Sequence, residues 1–301
     1  MRDSPTIFVY VQHLLGIGHL RRASFLAREL SLDGLDVHLV SGGMPVPRLT
    51  LDSVTLHQLP PLRSLDGHFD NLVDDSGNPI DDAWRADRRD RLLALFHDLQ
   101  PSVLITETFP FGRRMMRFET LPLLEAARDM QPSPLRVVSI RDILQPKSKP
   151  ERNKEVLGWL EEFYDLVLVH GDERLATLAD TFPLASRVAK KIRYTGYIAA
   201  PGSATSSLDA APTNDGEVVV WGGGGAASLP LLNAVIEAHS ESSLRDRHWR
   251  VLVGHNVPEE QYDSLRKRAA PGMTIERNRT DFLDLLRVCG VSVSQAGYNT
   301  V

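Results

Sequence analysis

Val218-Val219-Val220-Trp221-Gly222-Gly223-Gly224-Gly225-Ala226-Ala227-Ser228 passes from a short β-branched strand into four glycines and then into the apolar spacing of a helix. Glycines let a backbone approach a ligand closely, and the helix that follows presents unpaired N–H groups and the positive end of its dipole. The stretch therefore reads as an anion seat. A sharp strand-to-helix turn with no ligand fits the same residues. Two further loops of the same kind favour the seat: Gly16-Ile17-Gly18-His19 near the start, and Gln295-Ala296-Gly297-Tyr298-Asn299-Thr300 near the end. Three such junctions in one chain point to a cleft.

Outward from these loops the pattern repeats as strand, loop and helix. Thr6 to Val11 is β-branched and aromatic, and Leu20, Ala23, Leu26, Ala27 and Leu30 then recur at helical spacing. Strands are expected at Asp36 to Val40, Val54 to Leu59, Ser102 to Thr106, Leu135 to Ile140, Asp165 to His170 and Ile192 to Ile198, with helices near Glu119 to Met130 and Pro150 to Phe163. The alternation implies parallel βαβ units. From Arg63 to Arg91 the chain is polar, and a solvated loop turning helical towards Leu92 is expected, with Asp81 to Arg91 as a solvated face laced by ion pairs. Ala199 to Gly216 is a linker in composition. The pattern restarts with strands at Glu217 to Trp221, Trp249 to Val253, Met273 to Arg277 and Val291 to Ser294, separated by helices at Leu229 to His239, Glu259 to Ala269 and Asp281 to Val288.

The expectation is an α/β chain of two Rossmann-like, doubly wound domains facing a cleft. The first covers residues 1–198, a linker 199–216, and the second, 217–301, reads as truncated with four strands. A length of 301 residues suits two such domains. The net charge of −5 gives no overall basic field for nucleic acid. The single cysteine, Cys289, sits among apolar residues as a small buried side chain would. No apolar run reaches the length of a membrane span, and the N-terminus enters a strand directly, so a cytoplasmic location is expected.

Gly16 and Gly18 are followed by Arg21 where a dinucleotide fingerprint would carry its third glycine, which weakens an oxidoreductase reading. His19, at a helix N-terminus where imidazolium is disfavoured, is a candidate general base. A histidine that hydrogen-bonds the loop or meets a phosphate fits equally. Glu107 in Ile105-Thr106-Glu107-Thr108-Phe109-Pro110-Phe111-Gly112 could orient that histidine or act as base, and could also be an ordinary loop carboxylate. Arg141 could hold an acceptor anion or pair with Asp142. Arg113-Arg114-Met115-Met116-Arg117-Phe118 reads either as a membrane-surface patch or as a helix start with buried methionines.

Taken together, Gly16-Ile17-Gly18-His19, the linker after Tyr194-Thr195-Gly196-Tyr197, the tetraglycine and Ser292-Val293-Ser294-Gln295-Ala296-Gly297-Tyr298-Asn299-Thr300 resemble the GT-B glycosyltransferases. The nearest type is family 28, which includes the lipid-linked N-acetylglucosamine transferase of peptidoglycan synthesis. The resemblance implies a nucleotide-sugar donor, usually a UDP-sugar, on the C-terminal domain. It implies a hydroxyl acceptor on the N-terminal domain, lipid-linked in some members and then with peripheral contact to the inner membrane face. Neither a cofactor nor a metal is implied.

On the donor side, Gly222, Gly223, Gly224 and Gly225 would meet the diphosphate. The Arg279-Thr280-Asp281 loop would offer backbone to the base, and Gln295, Ala296, Gly297, Tyr298, Asn299 and Thr300 would reach phosphate and sugar. Gly16, Gly18, Phe109 and Arg141 are the acceptor-side candidates, with His19 and Glu107 catalytic. An acidic residue for the ribose and a Gln-bearing segment for the sugar usually follow in the family, and neither lies in this sequence. A nucleotide-sugar epimerase of the same fold and a non-catalytic nucleotide-sugar-binding protein are the competing expectations.

Overall fold

The computed structural model describes residues 4–14, 16–46, 49, 51–64, 71–145, 150–198, 216–223, 228–255, 257–279 and 281–295. The chain divides into two compact units, Met1–Ala200 and Pro201–Val301.

In the first unit β1 (Thr6–Val11) is followed by α1 (Gly18–Leu32), β2 (Asp36–Ser41) and β3 (Thr55–Gln58). A two-stranded antiparallel excursion, β4 (Arg63–Ser64) and β5 (Leu72–Val73), precedes α2 (Asp82–Leu99). Then come β6 (Val103–Glu107), α3 (Arg117–Asp129), β7 (Leu135–Arg141), α4 (Pro150–Phe163), β8 (Leu166–His170), the short α5 (Leu178–Thr181) and β9 (Ile192–Tyr194). The seven parallel strands lie in the order β3-β2-β1-β6-β7-β8-β9. β1 explains its own composition. Phe8 and Tyr10 enter one core with Leu92, Phe96 and Leu124, while Ile7, Val9 and Val11 enter the other with Leu20, Ala23 and Ala27. A parallel strand covered on both faces must be apolar on both.

The second unit carries β10 (Val218–Trp221), α6 (Leu229–Ala238), β11 (Trp249–Val253), α7 (Glu259–Lys267), β12 (Met273–Arg277), α8 (Phe282–Val288) and β13 (Val291–Ser294). Its parallel sheet has the order β12-β11-β10-β13. Each sheet therefore reverses its winding next to its first strand, between β1 and β6 and between β10 and β13. Ligands of open α/β sheets bind at the carboxyl ends of the strands flanking such a reversal.

Two expectations need correction. The Arg63 to Arg91 stretch is not one solvated loop: it holds β4 and β5, and α2 begins at Asp82, capped by Asp81, whose Oδ1 accepts from Trp84 N at 2.7 Å. Nor is Asp81 to Arg91 wholly a solvated face, because Arg88 is fully buried against Glu119. In the basic and apolar run, Met116 is buried and Arg114 pairs with Glu155 at 2.8 Å, the arrangement of a helix start. Cys289 is buried. Among the described residues no helix is long and apolar enough to cross a membrane.

Candidate active site

The loop after β1 turns into α1 at Gly18, so His19 stands in the first turn, beside the reversal point of the first sheet. Glu107 is the last residue of β6, the strand on the other side of that point. The two meet: His19 Nδ1 lies 3.0 Å from Glu107 Oε1. The carboxylate is buried at 1% exposure, whereas the imidazole keeps 29%. Among the described residues the hydrogen bonds of His19 are all made by Nδ1, which leaves Nε2 uncommitted on a ring that is partly exposed.

Glu107 also binds Arg22, one turn along α1 from His19, and accepts from Ser139 Oγ of β7 at 2.6 Å through Oε2. Thr108 Oγ1 lies 3.1 Å from Glu107 Oε1 and 3.0 Å from His19 Nδ1. Thr108 has φ of 74°, a left-handed conformation costly for a β-branched residue and typical of strain held at sites. Burial alone would raise the Glu107 pKa. The Arg22 charge and the hydrogen bonds from His19 and Ser139 outweigh it and bring the value down to about 2. Burial lowers the His19 pKa, Glu107 opposes, and the Arg113 and Arg22 charges add to the lowering. The net result is a neutral imidazole beside an ionised carboxylate, with burial as the largest cause.

Behind Glu107 the polar contacts continue. Ser139 Oγ is 2.9 Å from Nε2 of His170, the fully buried last residue of β8, whose Nδ1 is 2.7 Å from Thr195 Oγ1. On the outer side His13 is buried with Nε2 3.0 Å from Met44 O, and Arg113 Nε donates to Gln12 O at 3.0 Å.

Of the acceptor-side candidates, Gly16 is exposed and a Cβ there would meet nothing, which leaves its backbone approachable. Gly18 is half-buried at the start of α1. Arg141 is half-buried at the end of β7, and Asp142 beside it is buried, accepting from Tyr197 OH at 3.0 Å and Ile143 N at 2.7 Å. Phe109 requires a correction: its ring is core, 1% exposed and 5.2 Å from Trp159, because the chain turns inward directly after Thr108.

In the second unit, Gly222 and Gly223 follow β10 at the reversal of that sheet. Gly223 has φ of 89°, and a Cβ at Gly222 would collide with the Ser228 side chain at the start of α6. Both glycines are thus required by the turn itself. Gly224, Gly225, Thr280, Ala296, Gly297, Tyr298, Asn299 and Thr300 lie outside the described residues. Gln295 is exposed just past β13, flanking the same reversal. Arg279 directs its guanidinium at Asp281, at 2.7 and 2.6 Å. No group of metal-ligating side chains occurs among the described residues.

No protein-family model matches the chain, and no curated protein matches it in sequence. Solved structures do. A glycosyltransferase from Rickettsia africae superposes with a TM-score of 0.59 at 11% identity, covering 96% of this chain and 72% of its own. UGT2 of Phytolacca americana, complexed with UDP-2fluoro-glucose and pterostilbene, gives 0.58 at 15% identity, over 99% and 77%. The fold is GT-B. MurG of Acinetobacter baumannii matches at 0.54 and 11% identity, over 98% and 73%.

Within the GT-B frame, Arg22, Thr108, Ser139, His170 and Thr195 escaped the reading of the sequence. A signal for three of them exists: Ser139 and His170 interrupt apolar strands near their carboxyl ends, where a polar side chain needs a buried partner. Arg22 is three residues from His19 on one helix face, the spacing at which side chains meet.

Proposed function

We propose that the chain is a glycosyltransferase of the family 28 type, moving a sugar from a UDP-sugar to a hydroxyl acceptor with inversion and without a metal ion. The observation that carries this reading is the His19–Glu107 couple at the reversal point of the first sheet in a GT-B chain. In this reading residues 1–198 hold the acceptor and 217–301 the donor. Solved neighbours with UDP or a UDP-sugar analogue bound support the choice of nucleotide.

His19 Nε2 takes the proton of the acceptor hydroxyl as its oxygen bonds to the anomeric carbon. The bond from that carbon to the diphosphate breaks, and its electron pair leaves with the nucleoside diphosphate. Glu107 stays ionised and stabilises the imidazolium formed at His19. The leaving diphosphate is met by backbone N–H groups of the glycine loop and by the N-terminal end of α6. One displacement inverts the anomeric centre.

The test is incubation with UDP-sugars and a panel of hydroxyl acceptors, with product configuration read by proton NMR and a chelator in parallel. Transfer with inversion, unchanged by the chelator, is expected. A retained configuration would sink the single displacement. In a thermal-shift panel a true donor at about 100 times its dissociation constant adds about 2.7 kcal/mol to the folded state. Stabilisation by NAD alone, with none by UDP compounds, overturns the transferase reading.

A further inference from the structure

His170 is buried at 0% exposure, is not in reach of any acceptor, and has no part in the displacement just described. The proton inventory around it gives it one. Glu107 is ionised and can only accept, so the single hydroxyl hydrogen of Ser139 goes to Glu107 Oε2 across 2.6 Å. Ser139 Oγ must then accept across its 2.9 Å contact, which makes His170 Nε2 the protonated nitrogen. His170 is neutral, its pKa brought down to about 4 by burial, with Arg22 adding to the fall and Glu107 opposing it. Nδ1 therefore carries a lone pair, and the Thr195 hydroxyl, 2.7 Å away, supplies the hydrogen. Every donor in the series Thr195, His170, Ser139 points the same way, towards Glu107.

We propose that Ser139, His170 and Thr195 are positioning residues: their one-directional hydrogen-bond chain, anchored on β7, β8 and the turn after β9, clamps Glu107 so that His19 is held as the Nδ1–H tautomer with Nε2 free to take a proton. The proposal rests on the reading of His19 as base. Two oxygens of one carboxylate are used for two purposes. Oε2 is committed to Ser139, and Oε1 is thereby turned to His19, Arg22 and Thr108. With Oε2 released, the carboxylate can rotate, the Nδ1–H donor loses its fixed acceptor, and imidazole reverts to a mixture of tautomers. The other groups facing His19 are Thr108, Arg22 on its own helix, Arg113 after β6 and His13 after β1. The two arginines can only donate, and the Thr108 hydroxyl, 3.0 Å from Nδ1, donates to Glu107 Oε1 and carries no charge, so the carboxylate is the strongest acceptor for an Nδ1 proton.

The test uses the full chain labelled with nitrogen-15 at histidine. Long-range nitrogen–proton spectra report each ring's tautomer without any substrate, so the result stands apart from whether a sugar is transferred. In the native protein His19 is expected as the Nδ1–H form alone. In Ser139→Ala and His170→Leu the Nε2–H form should enter, and where turnover is measurable kcat should fall about tenfold with the donor KM unchanged. His170→Gln keeps an N–H donor for Ser139 and should restore both signals. Thr195→Val, at the outer end of the chain and nearly isosteric, is the fallback if the buried changes unfold the protein. It should give the same mixture at smaller amplitude. An unmixed Nδ1–H His19 in Ser139→Ala and His170→Leu, or in Thr195→Val where those do not fold, overturns the proposal, as does a Gln variant no better than Leu. If tautomers shift as expected while UDP-sugars are never turned over, the clamp holds and the transferase reading falls alone.

Discussion

Among the described residues of the first unit two Glu–Arg pairs are buried, and they are built for opposite ends. Glu119 and Arg88, on α3 and α2, are both at 0% exposure. Arg88 donates to both Glu119 oxygens at 2.7 and 2.9 Å, to Gln12 Oε1 at 2.6 Å, to Gly42 O at 2.9 Å and to Pro60 O. Tyr10 OH closes the remaining side of the carboxylate. Glu107 and Arg22 are nearly as buried, at 1% and 6%, but their third partner, His19, is open at 29%. The sealed pair ties β1, the turn after β2 and two helices together. The open pair uses the same chemistry to aim one imidazole at solvent.

The largest difference should appear on removing the open partner. His19→Ala is expected to lower transfer turnover by about 10²- to 10⁴-fold, the usual worth of a positioned general base. Donor affinity should stay near native, and so should thermal stability, since the ring is partly exposed. A turnover within twofold of native would remove His19 as base. The corresponding cut in the sealed pair, Arg88→Met, should do the reverse. It leaves Glu119 buried without its counter-charge and should cost about 3–5 kcal/mol in urea unfolding. Replacing both members, Arg88→Met with Glu119→Leu, should recover much of that loss, because the desolvated charge is gone as well. If the single and double variants are equally unstable, the cost lies in packing.

Acid separates the two regions next. His170 has a native pKa of about 4 against about 6.5 unfolded, so between these values the unfolded chain binds the extra proton. Its contribution is fully present above pH 6.5 and fades as pH falls towards 4, by up to about 3 kcal/mol at roughly 1.4 kcal/mol per pKa unit. Glu107, held at about 2, adds a second loss below about pH 4.5. The sealed pair contains no histidine. Unfolding by urea at pH 4, 5, 6 and 7 should show stability rising with pH, and His170→Gln should flatten the rise. An unchanged slope in that variant would assign the effect to His13, His19 and His57, whose pKa values burial also lowers.

This pairing also marks how far the sequence could be read. The parallel strands were legible from their β-branched apolar runs alternating with helices, whereas the strand order, and with it the place where each sheet reverses its winding, was not. His19 and Glu107 were legible as candidates because a glycine-flanked histidine and a strand-end carboxylate sit where α/β ligands bind. That they touch was not legible: 88 residues separate them, and only the parallel neighbourhood of β1 and β6 joins them. Arg88 was misread because it stands in a run of aspartates and arginines whose composition is that of a solvated helix. Its burial depends on Glu119, which lies on another helix and shows no periodic sign of it. Phe109 was misread because a residue just past a strand end can face either the site or the core, and sequence does not say which. Ser139 and His170 fell between these cases, visible as polar breaks in apolar strands but without a partner that spacing could name.

The finest test of the comparison removes one hydroxyl from each pair. Tyr10→Phe deletes the donor to Glu119 together with the same hydroxyl's contact to Arg88, and a hydrogen bond to a charged group in a sealed site contributes about 1.5–3 kcal/mol. The expected loss is therefore in stability, with turnover close to native. Thr108→Val deletes the hydroxyl that sits between His19 and Glu107, and Val keeps the β-branch, so the left-handed backbone strain is unchanged. One edge of that site is open to solvent, and water can replace a lost donor there, which holds the stability change below about 1 kcal/mol. The cost should move instead into catalysis, as a fall of about twofold to tenfold in kcat with the acid limb of the pH profile displaced, since that hydroxyl touches the Nδ1 side of the base. Equal stability losses in the two variants would mean that both carboxylates are merely structural, and the distinction between a sealed and an open pair would collapse.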